Sequence, residues 1–347
     1  MKNMLSIISC FSALLMTVPA LSLAIDKSSP DHSLKKTDSS SEVVSVVSKQ
    51  PADIFKTKSP STDREYFSVL DINDGQVYNI SVRDYIIGAV CAEMPASFHK
   101  EALKAQAIAA HTYAVRQSVA ERNAPDPELL GADFSNDSSK YQAYFNSDEI
   151  KKYYGDKYDE YYTKVSEAVD EVINEILTYN DTPIIAAFHS MSSGITESAE
   201  NIWGNPVEYL IPAESPTDTS APKYTEEYVF TAEEISARLT SEYSDISFEK
   251  DCDQWFKINE KSKSGTVMSM KAGNKTINGT QLRTILSLRS ANFDISYSSD
   301  YGFKITTRGY GHGVGMSQYG ANAMAQSGKT YKEILMHYYP GTTIDTL

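Results

Sequence analysis

From Met4 to Ile25 the chain carries no charged side chain, and Lys2 stands in front of it. An uncharged run of this length is the plan of an export signal or of one membrane-spanning helix, which needs about 20 residues to cross the hydrocarbon. Ser22-Leu23-Ala24 offers the small residues at which a leader is cut, so cleavage and anchoring are both open. Ile7-Ile8-Ser9-Cys10 has the order of a lipoprotein box but comes before enough apolar chain has passed. Either way the remainder is expected outside the cytoplasm, where small folds are commonly stapled by disulfides. Beyond the leader only Cys91 and Cys252 are left, so at most one bridge is available. No CxxC or Cys/His cluster is present to hold zinc. The fold must therefore rest on packing.

Residues 26–62 hold ten serines and no aromatic except Phe55. Such a stretch cannot repay its ordering entropy by burial and reads as a disordered spacer. The domain organisation expected is thus 1–25 signal or anchor, 26–62 spacer and 63–347 a folded body. With 46 acidic against 32 basic side chains the net charge is −14. That excess of acid argues against binding nucleic acid through its phosphates.

Within the body, Tyr66 to Ile72 and Gln76 to Ser81 flank Asn73-Asp74-Gly75, a hairpin signal. Ser81-Val82-Arg83-Asp84 caps a helix through Ile86, Ile87 and Val90, and Pro95 stops it near Glu93. A second, alanine-rich helix follows Ser97 and runs to about Val119. Helical spacing at Val165, Ala168, Val169, Val172 and Ile176 predicts helix across that stretch, and Thr182 to Phe188 reads as a buried strand. Thr231-Ala232-Glu233-Glu234 and Thr330-Tyr331-Lys332-Glu333 cap two further helices, while 266–270 and 302–307 read as strands. Strands and helices mix without regular βαβ alternation, which predicts an α+β fold of helices and antiparallel sheet around a binding cleft.

Three segments can carry chemistry. Gly88-Ala89-Val90-Cys91-Ala92-Glu93-Met94-Pro95 places one carboxylate at a helix end in an apolar octet. Apolar surroundings disfavour an ionised carboxylate and suit a proton donor, although an exposed Glu on a polar edge fits the same letters. Arg308-Gly309-Tyr310-Gly311-His312-Gly313-Val314-Gly315-Met316-Ser317-Gln318-Tyr319-Gly320 alternates glycine with Tyr and His before a helix. The pattern lets backbone approach a ligand, or closes a sheet with a tight turn; it lacks the endings of phosphate and dinucleotide loops. His189-Ser190-Met191-Ser192-Ser193-Gly194-Ile195-Thr196-Glu197 places His, hydroxyls and Glu just past the expected strand, as a polar site or as a hydrogen-bonded framework. Cys91 lies in apolar helix, where a thiol stays protonated and inert, so a cysteine nucleophile paired with His189 or His312 is disfavoured.

Taken together, Tyr85-Ile86-Ile87-Gly88-Ala89-Val90-Cys91-Ala92-Glu93-Met94-Pro95, then Glu101-Ala102-Leu103-Lys104-Ala105-Gln106-Ala107, and the block ending Ser317-Gln318-Tyr319-Gly320-Ala321 resemble the stage II sporulation protein D family. The resemblance runs from about residue 64 to Thr343 and includes His189 to Trp203 and Leu288-Arg289-Ser290. It implies a membrane-anchored lytic transglycosylase of peptidoglycan, acting in engulfment on glycan strands stripped of stem peptides. Its implied partners are the amidase stage II sporulation protein P and a membrane scaffold. The family's catalytic Glu maps onto Glu93. Substrate contacts are expected from Lys104, Gln106, His189, Ser190, Glu197, Arg289, Tyr310, His312, Ser317, Gln318 and Tyr319, and no cofactor is expected. Amidase-enhancer proteins share the domain, which makes a non-cutting module that stimulates an amidase the alternative.

Two departures stand out. The family's Ala-Arg-Thr-Tyr is here Ala110-His111-Thr112-Tyr113. Relatives with zinc hold it through cysteines near a His-Cys-Gln-Ala-Tyr segment; this chain has Lys140-Tyr141-Gln142-Ala143-Tyr144, with Ser135 in place of the earlier cysteine, so no zinc is expected.

Overall fold

The computed structural model describes residues 65–347. The leader and spacer, with the expectations attached to them, lie outside the described residues.

Strand β1 (Tyr66–Asp71) pairs antiparallel with β2 (Gln76–Ser81), Tyr66 opposite Ser81. The turn is closed by the Gly75 amide donating to the Asp71 carbonyl at 2.8 Å, with Gly75 at φ +72°. Ser81 then caps α1 (Val82–Glu93), its hydroxyl accepting from the Asp84 amide, and the helix ends at Glu93 because Met94, ahead of Pro95, is extended. All eight residues from Tyr85 to Ala92 are buried, so this short helix is core on nearly every side. Helix α2 (Lys100–Asn123) starts two residues later than its sequence suggests. A turn closed by the Phe98 amide on the Pro95 carbonyl intervenes, and His99 provides the cap. Its alanines let α1, α4 (Tyr158–Asp170) and the C-terminal helices α8 (Gln318–Gln326) and α9 (Tyr331–Tyr338) pack closely around it.

Two expectations fail here. The helical spacing that includes Ile176 is broken: α4 ends at Asp170, and Glu175–Tyr179 is strand β4. Strand β14 (Thr343–Thr346) pairs with it, and the Thr178 hydroxyl bonds Thr343 and Asp345, so tertiary pairing overrides local periodicity. The run Thr182 to Phe188 is not one strand either. It is β5 (Thr182–Pro183) against β4 and β6 (Phe188–His189) against β13 (Met316–Ser317), with Pro183 unable to donate to a ladder.

Buried apolar side chains form two main clusters. The larger joins β1, α1, α2, α3 (Ser147–Tyr154), α4, α8 and α9. The second lies within 228–305: β7 (Thr225–Phe230), α6 (Ala232–Glu242), β8 (Phe256–Lys261), β9 (Val267–Ala272), β10 (Lys275–Ile277), α7 (Gly279–Leu286), β11 (Phe293–Ser298) and β12 (Gly302–Arg308) surround Trp255, Met270, Leu282 and Phe303. The molecule is α+β, its sheets small and mostly antiparallel, with parallel pairs only at β1 with β3 (Phe134–Ser135) and β6 with β13 among the described residues. No described helix is long and apolar enough to cross a membrane.

Candidate functional site

The parallel pair β6 with β13 joins the second and third chemical segments. Phe188 lies opposite Met316 and His189 opposite Ser317; further on, Met191 bridges Tyr310 and Glu197 bridges Val314. The alternating glycines at 309, 311, 313 and 315 all have positive φ, a backbone that residues with a side chain rarely adopt. At Gly311 a β-carbon would sit 2.7 Å from that of His189, so the two segments meet through bare backbone.

Glu93 is half-buried at the end of α1. Its Oε1 accepts from the Ala143 amide at 3.3 Å, while Gln318 Nε2 donates to its backbone carbonyl at 3.1 Å and to Gln106 Oε1 at 3.3 Å. The loop bearing Ala143 reaches α1 because Gly88 has no side chain: Phe145 donates its amide to the Gly88 carbonyl at 3.2 Å, and Tyr144 covers the helix there. Burial raises the Tyr310 phenol; Arg289 and Arg283 oppose that rise, and the charges of Tyr228 and Glu93 add to it. The Arg289 guanidinium sits over the Tyr310 ring, 4.3 Å from its centre. Tyr319 packs edge-on against Phe98 at 5.1 Å.

The remaining expected contacts are differently placed. His189, His312, Glu197, Ser317, Gln318 and Gln106 are all at most 5% exposed, and Glu197 and His312 line a small cavity with Ser192, Ser264 and Arg308. His189 Nδ1 bonds the Val314 carbonyl at 3.1 Å, His312 Nδ1 accepts from the Val314 amide at 3.0 Å, and the rings lie 5.7 Å apart. Burial holds His189 down to about 4; burial, His189 and Arg283 push His312 well below its ordinary value, so both rings are neutral at pH 7. Glu197 accepts from the Ser198 amide, Asn201 Nδ2 and the hydroxyls of Ser262 and Ser264. Ser317 caps α8, and the Ser190 carbonyl accepts from the Tyr319 amide at 3.0 Å. Lys104 is joined to Glu101 and Glu171 and lies over the Tyr331 ring; none of its contacts reaches this group. His111 is buried beside Phe67, so the change from arginine falls in the core.

Sequence reasoning missed Ala143, which acts through its backbone, and Asp218. The latter is fully buried and accepts from the Ser192 amide at 2.8 Å and hydroxyl at 2.6 Å. A serine-rich stretch just past a strand was its only trace in the letters. Cys91 and Cys252 are free thiols, and burial pushes Cys91 up to about 11. Among the described residues no three metal-binding side chains converge.

Residues 73–179 match the family described as stage II sporulation protein (SpoIID). Over 268 residues the chain is 41% identical to stage II sporulation protein D of Bacillus subtilis strain 168, covering 77% of this chain and 75% of that one. The corresponding protein of Bacillus amyloliquefaciens is 38% identical over the same shares. The amidase enhancer of B. subtilis is 27% identical over 309 residues, 74% of this chain but 40% of that protein. With its motifs, fold and this breadth of identity, the chain belongs to the stage II sporulation protein D family.

Proposed function

We propose that the protein is a lytic transglycosylase cutting the β-1,4 bond between N-acetylmuramic acid and N-acetylglucosamine in peptidoglycan. The observation that carries this reading is the half-buried Glu93, its backbone carbonyl held by Gln318 and its carboxylate by the Ala143 amide. Glycosidases that use water need two carboxylates. Glu197 and Asp218, the latter bonded to Ser192, are buried and engaged by serines, which favours single-carboxylate chemistry on Glu93. Protonated Glu93 gives its proton to the glycosidic oxygen as the C1–O bond breaks. The resulting carboxylate takes the proton of the muramyl 6-hydroxyl while that oxygen closes a 1,6-anhydro ring. Acid and base are thus one group, and no water is consumed.

In this reading the leader holds the body at the outer face of a membrane. Stage II sporulation protein P supplies stripped strands, and a membrane scaffold keeps the two together. Incubating stem-peptide-free glycan strands with the full chain, followed by mass spectrometry, tests the chemistry. Anhydro-muramyl ends are expected, and Glu93→Gln is expected to slow their formation by about 10²–10⁴-fold; unchanged product in that variant removes Glu93 from its role. Similarity to the amidase enhancer favours a second reading, a non-cutting module. No anhydro product together with stimulation of an added amidase would select it.

A further inference from the structure

Cations gather at one place in this acidic chain. Arg289 lies over Tyr310 and, with Lys223, opposes the rise that burial imposes on the Tyr319 phenol; Arg283 acts on Tyr310 from within the second cluster, and Arg308 on Tyr224. Arg283 is itself buried, and that burial brings it down to about 10, while Arg308 is engaged by Asp294 at 2.7 Å. Arg289 differs from Arg283 in being half-buried rather than buried, and from Arg308 in lying over the Tyr310 ring.

Its mounting is specific. The Arg289 backbone carbonyl accepts from the Gly311 amide at 2.9 Å, and its amide donates to the Tyr228 hydroxyl at 3.1 Å. Among the described residues its side-chain hydrogen bonds both leave from Nη1, to the Lys223 carbonyl at 2.9 Å and Glu226 Oε2 at 3.3 Å. Lys223 presents that carbonyl from a left-handed backbone, φ +57°, a conformation that costs energy for a residue with a side chain. One edge of the guanidinium is therefore anchored. The other, Nε with Nη2, is the fork that grips a carboxylate two-pronged.

We propose that Arg289, held flat on Tyr310, reads a carboxylate on the ligand, and that in a glycan strand this is the lactyl carboxylate of muramic acid. The identity of the ligand rests on the proposed function; the preference for a carboxylate rests on the mounting of Arg289. In peptidoglycan the lactyl group is an amide wherever a stem peptide is attached and a free anion where the peptide has been removed. An arginine fork discriminates the two, because the amide offers neither the charge nor the second acceptor oxygen.

Binding tests this separately from cutting. Defined glycan strands, their lactyl groups either free or capped as methylamides, are titrated against the full chain carrying Glu93→Gln. Free strands are expected to bind about tenfold or more tightly than capped ones, less so at high salt. Adding Arg289→Gln should bring the ratio near one, and adding Arg289→Lys should retain part of it. Equal binding of both strands, no measurable binding of either, or a ratio that survives Arg289→Gln overturns the proposal. So does an equal loss on both strands in a variant with unchanged circular dichroism, which makes Arg289 a support for Tyr310 only. A ratio that holds while the unmodified chain yields no anhydro ends leaves this proposal standing and removes the catalytic one.

Discussion

Gly88 lies where the loop carrying Ala143 crosses α1, and a β-carbon there would collide with the Phe145 carbonyl and the Tyr144 ring. Gly88→Ala is therefore expected to cost about 1–3 kcal/mol through overpacking, read as a lower denaturant midpoint, and to displace the amide that bonds Glu93. A midpoint equal to that of the unaltered chain would show that the loop gives way freely. Legibility at this scale followed the kind of contact. Glu93 could be picked out as an isolated acid among apolar neighbours. Ala143 could not, because a backbone amide 50 positions away leaves no mark on residue type. The histidines and Glu197 were singled out as polar groups just past a strand and in a glycine-rich block, and the structure buries them: each has protein partners that the sequence does not reveal.

Helix starts were the most legible elements, because a cap is a local rule. The reciprocal Thr330–Glu333 and Thr231–Glu234 caps form as their spacing predicts. Thr330→Ala is expected to remove about 1 kcal/mol, measured by urea unfolding, since α9 carries Tyr338 and Tyr339 into the core just after it. No loss would mean that packing alone holds the helix start. Elements that depend on distant partners were misread. Glu175–Tyr179 is a strand because β14 returns from the C-terminus to pair with it, 165 residues beyond in the case of Thr178 and Thr343. Two-residue strands such as β6 have no pattern of their own, yet β6 is the pairing that brings the glycine-rich block to its place.

Across the whole molecule, three buried imidazoles set a dependence on pH. Burial holds His111 and His189 at about 4, below their ordinary 6.5, and lowers His312 as well. Between those values the unfolded chain takes up protons that the folded one refuses, so stability is full above pH 6.5 and is lost as pH falls toward 4. A loss on the order of 1–2 kcal/mol for each of His111 and His189 is expected between pH 7.5 and 5, seen as a falling urea midpoint. Burial raises the Asp218 carboxyl, which works in the opposite sense, so the comparison with His111→Gln isolates the imidazole. An equally steep loss in that variant would place the cause elsewhere. The second apolar cluster went unseen in the letters, as nothing in composition marks a seam near residues 225 or 308. It supplies Arg289, and its β8–β9 turn supplies the serines that hold Glu197, while Glu93 stands on the first cluster. In the proposed reading, reactivity and recognition thus stand on separate foundations: substitutions within 228–305 could accumulate and retune which ligand is accepted without repacking the helix that carries the acid.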